Sequence, residues 1–325
     1  MTRTHRPFRL HSVPRLARIA AVAALLTTLL ALPASASAQS EAAADAAAAA
    51  DASSDPAGTS RPRPLWEVGA VAFGTRQQAY PGSALTVSNS LALPWFIYRG
   101  RWLRADEGTF GVRALKTPRS EIDIGFAGAF GSSASQSAVR RGMPDIGTLV
   151  EFGPRLKLNL GTLGTAPPGT PGAAGTAAGR DGLRWRLALP LRGVFDLSDG
   201  LAHRGLSFEP ELGVSLRSGA WRLGASLGAV IGDRRLTGVF YGVDPVFATA
   251  TRPAYTARAG LITTRLGFNA STDLGPDWRV FGFARLDSVA GAANRASPLV
   301  ERTRGTSYGI GLSWTWLRSE RMTTN

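Results

Sequence analysis

Between Leu206 and Ile231 apolar and polar residues alternate with a period of two, interrupted once by a turn. Leu206, Phe208, Pro210, Leu212, Val214 and Leu216 fall on one face, and Ser207, Glu209, Glu211, Gly213, Ser215 and Arg217 on the other. After Arg217-Ser218-Gly219-Ala220, a second run sets Trp221, Leu223, Ala225, Leu227, Ala229 and Ile231 against Arg222, Gly224, Ser226, Gly228 and Val230. A period of two predicts β-strands with one apolar face each, here a hairpin on a tight turn. Such a hairpin is unstable alone in water, and about ten residues per strand is the length a tilted strand needs to cross hydrocarbon.

The same alternation recurs along the chain. It predicts strands from Trp66 to Ala72, Leu91 to Tyr98, Trp102 to Leu103, Phe110 to Ala114, Ile122 to Phe130 and Ile146 to Leu160, the last carrying Pro154, where a bulge or bend is expected. Further strands follow at Leu183 to Arg192, in the hairpin above, at Ile262 to Ala270, Trp278 to Asp287 and Tyr308 to Trp316, twelve in all. Short turns near 100, 117, 218 and 275 alternate with longer connections at 74–88, 131–144, 197–205, 232–256 and 288–304. Outer-membrane barrels have an even number of strands, with short turns on the periplasmic side and long loops outside. A Pro/Gly-rich insertion at 161–182 breaks the rule, because the alternation puts it on the short-turn side.

Whole faces read Trp, Leu, Val and Phe, with Gly, Ala and polar residues opposite, the reverse of a soluble core and its charged exterior. Beyond residue 38 no run of 18 apolar residues occurs, so no transmembrane helix is expected. Only helices and closed barrels satisfy every backbone group in lipid. The expected fold is therefore all-β, a closed antiparallel transmembrane β-barrel of about twelve strands.

The ends of the chain carry other signals. Arg3, Arg6, Arg9, Arg15 and Arg18, the apolar run Ile19 to Leu32, and Ala34-Ser35-Ala36-Ser37-Ala38 make a secretory signal peptide, cleaved after Ala38. Residues 39–64 are Ala-rich and then Pro-rich, with little to bury, and read as a disordered tether. The barrel spans 65–317, and 318–325 is a tail. Removing the signal peptide leaves 32 basic against 23 acidic residues, a net charge of +9. Those arginines are scattered singly through alternating strands, which argues against nucleic acid as partner. The chain has no cysteine, so disulfides contribute nothing.

Few residues carry chemistry. His5 and His11 leave with the signal peptide, so His203, in the 197–205 connection, is the mature chain's one histidine. Cysteine or histidine metal sites and cofactors are not expected. A nucleophilic site would need His203 with Ser198, Asp199 or Ser207, and a loop histidine beside such residues is more often solvated surface. Arg184, Arg186, Arg192, Glu209, Glu211, Arg217 and Arg222 fall on polar faces of neighbouring strands, where opposite signs should meet. They read as a lumen plug of ion pairs in preference to the lining of a selective pore. The eight tryptophans lie mostly near strand ends, where an interfacial belt belongs.

With Tyr80-Pro81-Gly82-Ser83, Phe240-Tyr241-Gly242-Val243, Arg252-Pro253-Ala254-Tyr255 and Ser297-Pro298-Leu299-Val300-Glu301 in this order before a final alternating strand, the chain resembles the MipA/OmpV family of outer-membrane proteins from Trp66 to Trp316. The resemblance marks Tyr80, Pro81, Gly82, Tyr241, Gly242, Val243, Ser297, Pro298 and Glu301 as family-motif loop residues. It implies an envelope scaffold that contacts a membrane-bound lytic transglycosylase and a murein synthase, sits in outer-membrane lipid and is inserted by the barrel assembly machinery. The alternative is a passive or weakly selective channel for small solutes. Family barrels end on an aromatic residue, whereas here nine residues follow Trp316.

Overall fold

The computed structural model describes residues 64–99, 103–106, 109–112, 115–117, 119–129, 132–163 and 182–322. The signal peptide, all of the tether but Pro64, the centre of the 161–182 insertion and Trp102 lie outside the described residues.

Every described strand belongs to one antiparallel sheet. The strands are β1 (Trp66–Gln78), β2 (Thr86–Arg99), β3 (Leu103–Asp106), β4 (Thr109–Val112), β5 (Leu115–Lys116), β6 (Ser120–Ala129) and β7 (Leu149–Leu163). They continue with β8 (Leu183–Asp196), β9 (Ala202–Phe208), β10 (Glu211–Ser218), β11 (Trp221–Gly232), β12 (Gly260–Leu274), β13 (Trp278–Ser288) and β14 (Arg304–Arg318). Sequence neighbours pair in space, and β1 pairs with the last strand, β14, from Glu67 against Arg318 to Arg76 against Tyr308. The order of the sheet starts at β4 and ends at β5, two strands that are adjacent in sequence.

The alternation decides which side chains the sheet hides. Leu227 and Ile310 on the apolar face are 61% and 68% exposed, whereas Ser207 and Ser307 on the polar face are 1% exposed. The polar face is the inside of this sheet and the apolar face is its outer surface. Glycines make room on the inner face: a Cβ on Gly311 would stand 2.3 Å from the Phe281 ring, and one on Gly153 would stand 2.2 Å from the Leu191 backbone carbonyl oxygen.

The central hairpin differs in one respect from the uninterrupted strand expected. β9 and β10 separate at Glu209–Pro210, because Pro210 has no N–H to donate. Both pieces still pair with β8 and β11, and Ala229 N–H donates to the Pro210 carbonyl. Gly219, at φ +58°, turns the chain between Ser218 and Trp221. The β7–β8 pairing lapses at Gly153 and Pro154 but resumes in the same register, without the bulge expected there; the register shifts instead between Asn159 and Gly161.

Other boundaries shift. β1 runs past the expected exit at Gly74-Thr75 to Gln78, and β2 starts at Thr86, so the first long connection shrinks to 79–85. The expected irregular stretch 232–256 contains a helix, α1 (Arg234–Tyr241). Asp233 caps it by accepting from Leu236 N–H at 2.8 Å. Eight residues with Gly238 inside and two arginines at the positive end of the dipole give no helical signal of their own. Burial of Leu236 and Tyr241 makes the helix. Trp95 is not a belt residue, since it packs over Gly69 on the inner face. At the chain ends Ser319 N–H donates to the Trp66 carbonyl, and Met322 bridges Pro64.

Candidate functional site

Among the connections that leave one end of the sheet are 79–85, 132–148, 233–259 and 289–303. They fold against one another into a knot around Tyr80, Ile146, Leu149, Val194, Leu236, Tyr241, Ala257 and Ile262. Their backbone polar groups, taken from water, need partners. Side chains from other connections supply them. Tyr80 Oη donates to the Leu299 carbonyl at 2.8 Å, Tyr241 Oη to the Pro81 carbonyl at 3.0 Å, and Ser297 Oγ to the Tyr241 carbonyl at 2.8 Å. The Tyr80 and Tyr241 rings meet edge to face at 6.4 Å. Asn294, fully buried, accepts from Arg258 N–H and donates to the Arg258 carbonyl, both at 2.8 Å.

Arginines tie the outer layer of the knot. Arg252 donates to the Phe247, Val139 and Arg141 carbonyls, and Arg140 donates to the Val239, Phe240 and Pro144 carbonyls while its guanidinium lies 5.7 Å from the Tyr80 ring centroid. Gly82, at φ +92°, accepts with its carbonyl from both Glu301 and Arg302 N–H. Glu301 Oε2 accepts from Ala84 N–H at 2.9 Å. Burial raises the Tyr80 and Tyr241 hydroxyl pKa values, so both stay neutral donors. Burial also lowers that of Arg140.

The inner face below the knot carries ion pairs. Arg192 reaches Glu209 at 2.9 Å and Glu151 at 3.3 Å, and Ser207 Oγ adds a bond to the same Glu151 oxygen. Asp123 binds Arg155 and Lys157 at 2.9 and 3.1 Å. Asp287 takes Arg265 at 2.9 Å and Arg285 at 3.1 Å, and Asp273 takes Arg222 at 2.5 Å and Arg279 at 2.7 Å. Asp123, Asp273 and Asp287 each bind two cations, and Arg192 is shared by two carboxylates, which offsets the cost of desolvating these charges.

A family model described as MltA-interacting protein MipA matches residues 68–316. The chain belongs to the MipA family. Its inside-out sheet is that of an outer-membrane protein of the MipA type. No curated protein sequence matches the chain. Solved structures that resemble it include the translocator domain of the autotransporter NalP from Neisseria meningitidis, 11% identical, covering 92% of this chain and 98% of that one at a TM-score of 0.39. The COG4313 outer membrane channel from Pseudomonas putida F1 is 11% identical, covering 81% and 100% at 0.40. Outer membrane phospholipase A from Escherichia coli is 9% identical, covering 82% and 97% at 0.32. At such identities and scores the likeness carries nothing about activity.

The sequence segments that carry the MipA resemblance all meet in the knot. Tyr80, Pro81, Gly82, Tyr241, Ser297 and Glu301 are joined by the bonds above, and Val243 pairs with Tyr255 across an isolated bridge. Gly242 caps α1 through its N–H to the Gly238 carbonyl, and Pro298 stands between Ser297 and Leu299. Of the charged candidates, Arg192, Glu209 and Arg222 sit in the ion pairs. Arg184 and Arg186 lie on the inner face of β8, and Glu211 on that of β10. Arg217 stands directly opposite Arg222, a like-charge pair. Glu151, Asp123, Asp273 and Asp287 complete this network, and the sequence signal for them is their place on the polar faces of alternating strands.

His203 is a correction. It lies on β9, not in a connection, because the 197–205 loop closes at Leu201, which takes φ +65°. Its ring packs on Phe195 at 5.3 Å and its Nδ1 lies 3.1 Å from Arg235. Ser198 Oγ accepts from Thr148 N–H and Ser207 Oγ bonds Glu151, so neither is paired with the imidazole. Among the described residues no group of three or more acidic or histidine side chains could hold a metal ion.

Proposed function

We propose that the chain is a closed, plugged outer-membrane barrel that acts as an envelope scaffold. The observation that carries this reading is the knot: four connections interlocked by side-chain to backbone bonds at one end of a sheet whose inner face is occupied by paired charges. With β4 and β5, consecutive in sequence and at the two ends of the sheet order, counted as one strand and β9 and β10 as another, the order becomes a ring of twelve. Closure leaves no free edge in the bilayer. The first 38 residues address export and 39–64 tether the barrel on its periplasmic side.

The family description, MltA-interacting protein, supports a lytic transglycosylase as partner, and the resemblance implies a murein synthase as a further one. These enzymes would meet the short-turn rim, where both chain ends emerge. Barrel assembly machinery inserts the protein and outer-membrane lipid surrounds it.

Planar-bilayer recording tests the plug. The protein is expected to give no stable conductance steps, and well-defined open channels would remove the reading. Capture of murein enzymes by the detergent-solubilised protein tests the scaffold. The channel alternative has one observation in its favour: Arg222 Nη1, Asn269 Oδ1 and Ser271 Oγ are buried on the inner face with no hydrogen-bond partner among the described residues. Such groups favour a hydrated interior in the short-turn half.

A further inference from the structure

We propose that the outward hollow at the long-connection end of β1, β12, β13 and β14 binds the phosphorylated headgroup of an outer-leaflet glycolipid. The inference rests on the outer-membrane barrel reading and adds a ligand to its lipid-facing wall. The hollow has a volume of about 750 Å³ and is lined by Arg76, Arg302, Arg304 and Tyr308, with Leu227, Leu266 and Leu286 on its lower side. All seven are exposed.

Three features select this ligand. Arg76 lies on the outer face of β1 directly opposite Tyr308 of β14, and Arg304 lies four residues, two repeats of the pleat, further up the same face. Cations therefore sit at the end of the wall that carries the long connections, above an apolar band. None of the three guanidinium groups has an ion pair among the described residues. The nearby acids are engaged elsewhere: Glu301 holds Ala84 N–H, and Asp287 faces inward to Arg265 and Arg285.

Chemistry then fixes the class. Arginine presents a planar fork that binds phosphate oxygens in pairs, and three such groups around one hollow fit a diphosphorylated headgroup. Leu227, Leu266, Leu286 and the Tyr308 ring continue the site along the wall in the direction acyl chains run, which a soluble anion would not use. The amphipathic order, charge above and hydrocarbon below, is that of a lipid.

Binding is read by native mass spectrometry of the delipidated full chain in detergent, titrated with diphosphoryl lipid A and with its dephosphorylated form. The triple variant R76Q/R302Q/R304Q is expected to bind the diphosphoryl lipid about tenfold or more weakly. The matched surface variant R234Q should bind as the wild type does. Equal binding by the triple variant, equal binding of the dephosphorylated lipid, or full displacement by inorganic phosphate would overturn the proposal. Should the triple variant lose its heat-dependent gel mobility, R76Q and R302Q singly decide the matter by the same criteria. Failure of the barrel reading would show separately, as a wild type with neither heat-dependent mobility nor a need for detergent.

Discussion

Tyr241 shows how one side chain holds several connections. Its ring is fully buried at the end of α1, its hydroxyl reaches the Pro81 carbonyl, and its own carbonyl accepts from Ser297. Tyr241→Phe keeps the ring and leaves a buried carbonyl short of a donor, so the folded state should weaken by about 1 kcal/mol, measured by urea unfolding in vesicles. The pH dependence has a definite sign. Burial raises the Tyr241 pKa above its ordinary 10.0, with the nearby Tyr80 and Asp287 charges adding to the rise. The neutral hydroxyl's contribution is thus fully present below about pH 10 and is lost above it, as the unfolded chain ionises first. Intrinsic fluorescence across an alkaline titration should show that loss, with a shallower slope in Y241F. Arg252 offers a second test, because its fork serves three carbonyls at once. A lysine reaches fewer of them, so Arg252→Lys should cost about 2 kcal/mol and speed proteolysis between residues 138 and 143.

Strands depend more on room for the backbone than on any single bond. A Cβ at Gly153 would meet the Leu191 carbonyl, whereas one at Gly74 finds nothing nearer than 4.0 Å. Gly153→Ala should therefore destabilise by about 1 to 3 kcal/mol and Gly74→Ala by much less, read from unfolding midpoints. The strands themselves were readable from alternation alone, since a period of two appears wherever one face is wet and the other greasy. Three things were not. The break at Glu209–Pro210 keeps the alternation intact while removing a donor, so periodicity passes over it. α1 forms through burial of Leu236 and Tyr241 by residues up to 160 positions away in sequence. The pairing of Arg192 with Glu209 followed from register on adjacent strands, but the convergence of Tyr80, Tyr241 and Ser297 required contacts between connections, which carry no period. Those residues stood out only through the family resemblance.

The molecule as a whole is an antiparallel wall with paired charges on one face, apolar side chains on the other and interlocked connections at one end. Its outer surface is graded: Trp221, Trp278, Trp314 and Trp316 are exposed near the short turns, where Trp278 stacks on Trp314 at 5.5 Å and Trp314 on Trp316 at 6.2 Å. Amphipathic rings in that position belong at the headgroup level of a bilayer. Tryptophan emission in vesicles containing brominated lipids measures this placement directly. The account predicts strong quenching, greatest for bromine near the headgroup end of the acyl chain, together with poor quenching by aqueous iodide. Emission that ignores the brominated lipids and responds to iodide, from a protein that stays monodisperse without detergent, would contradict it.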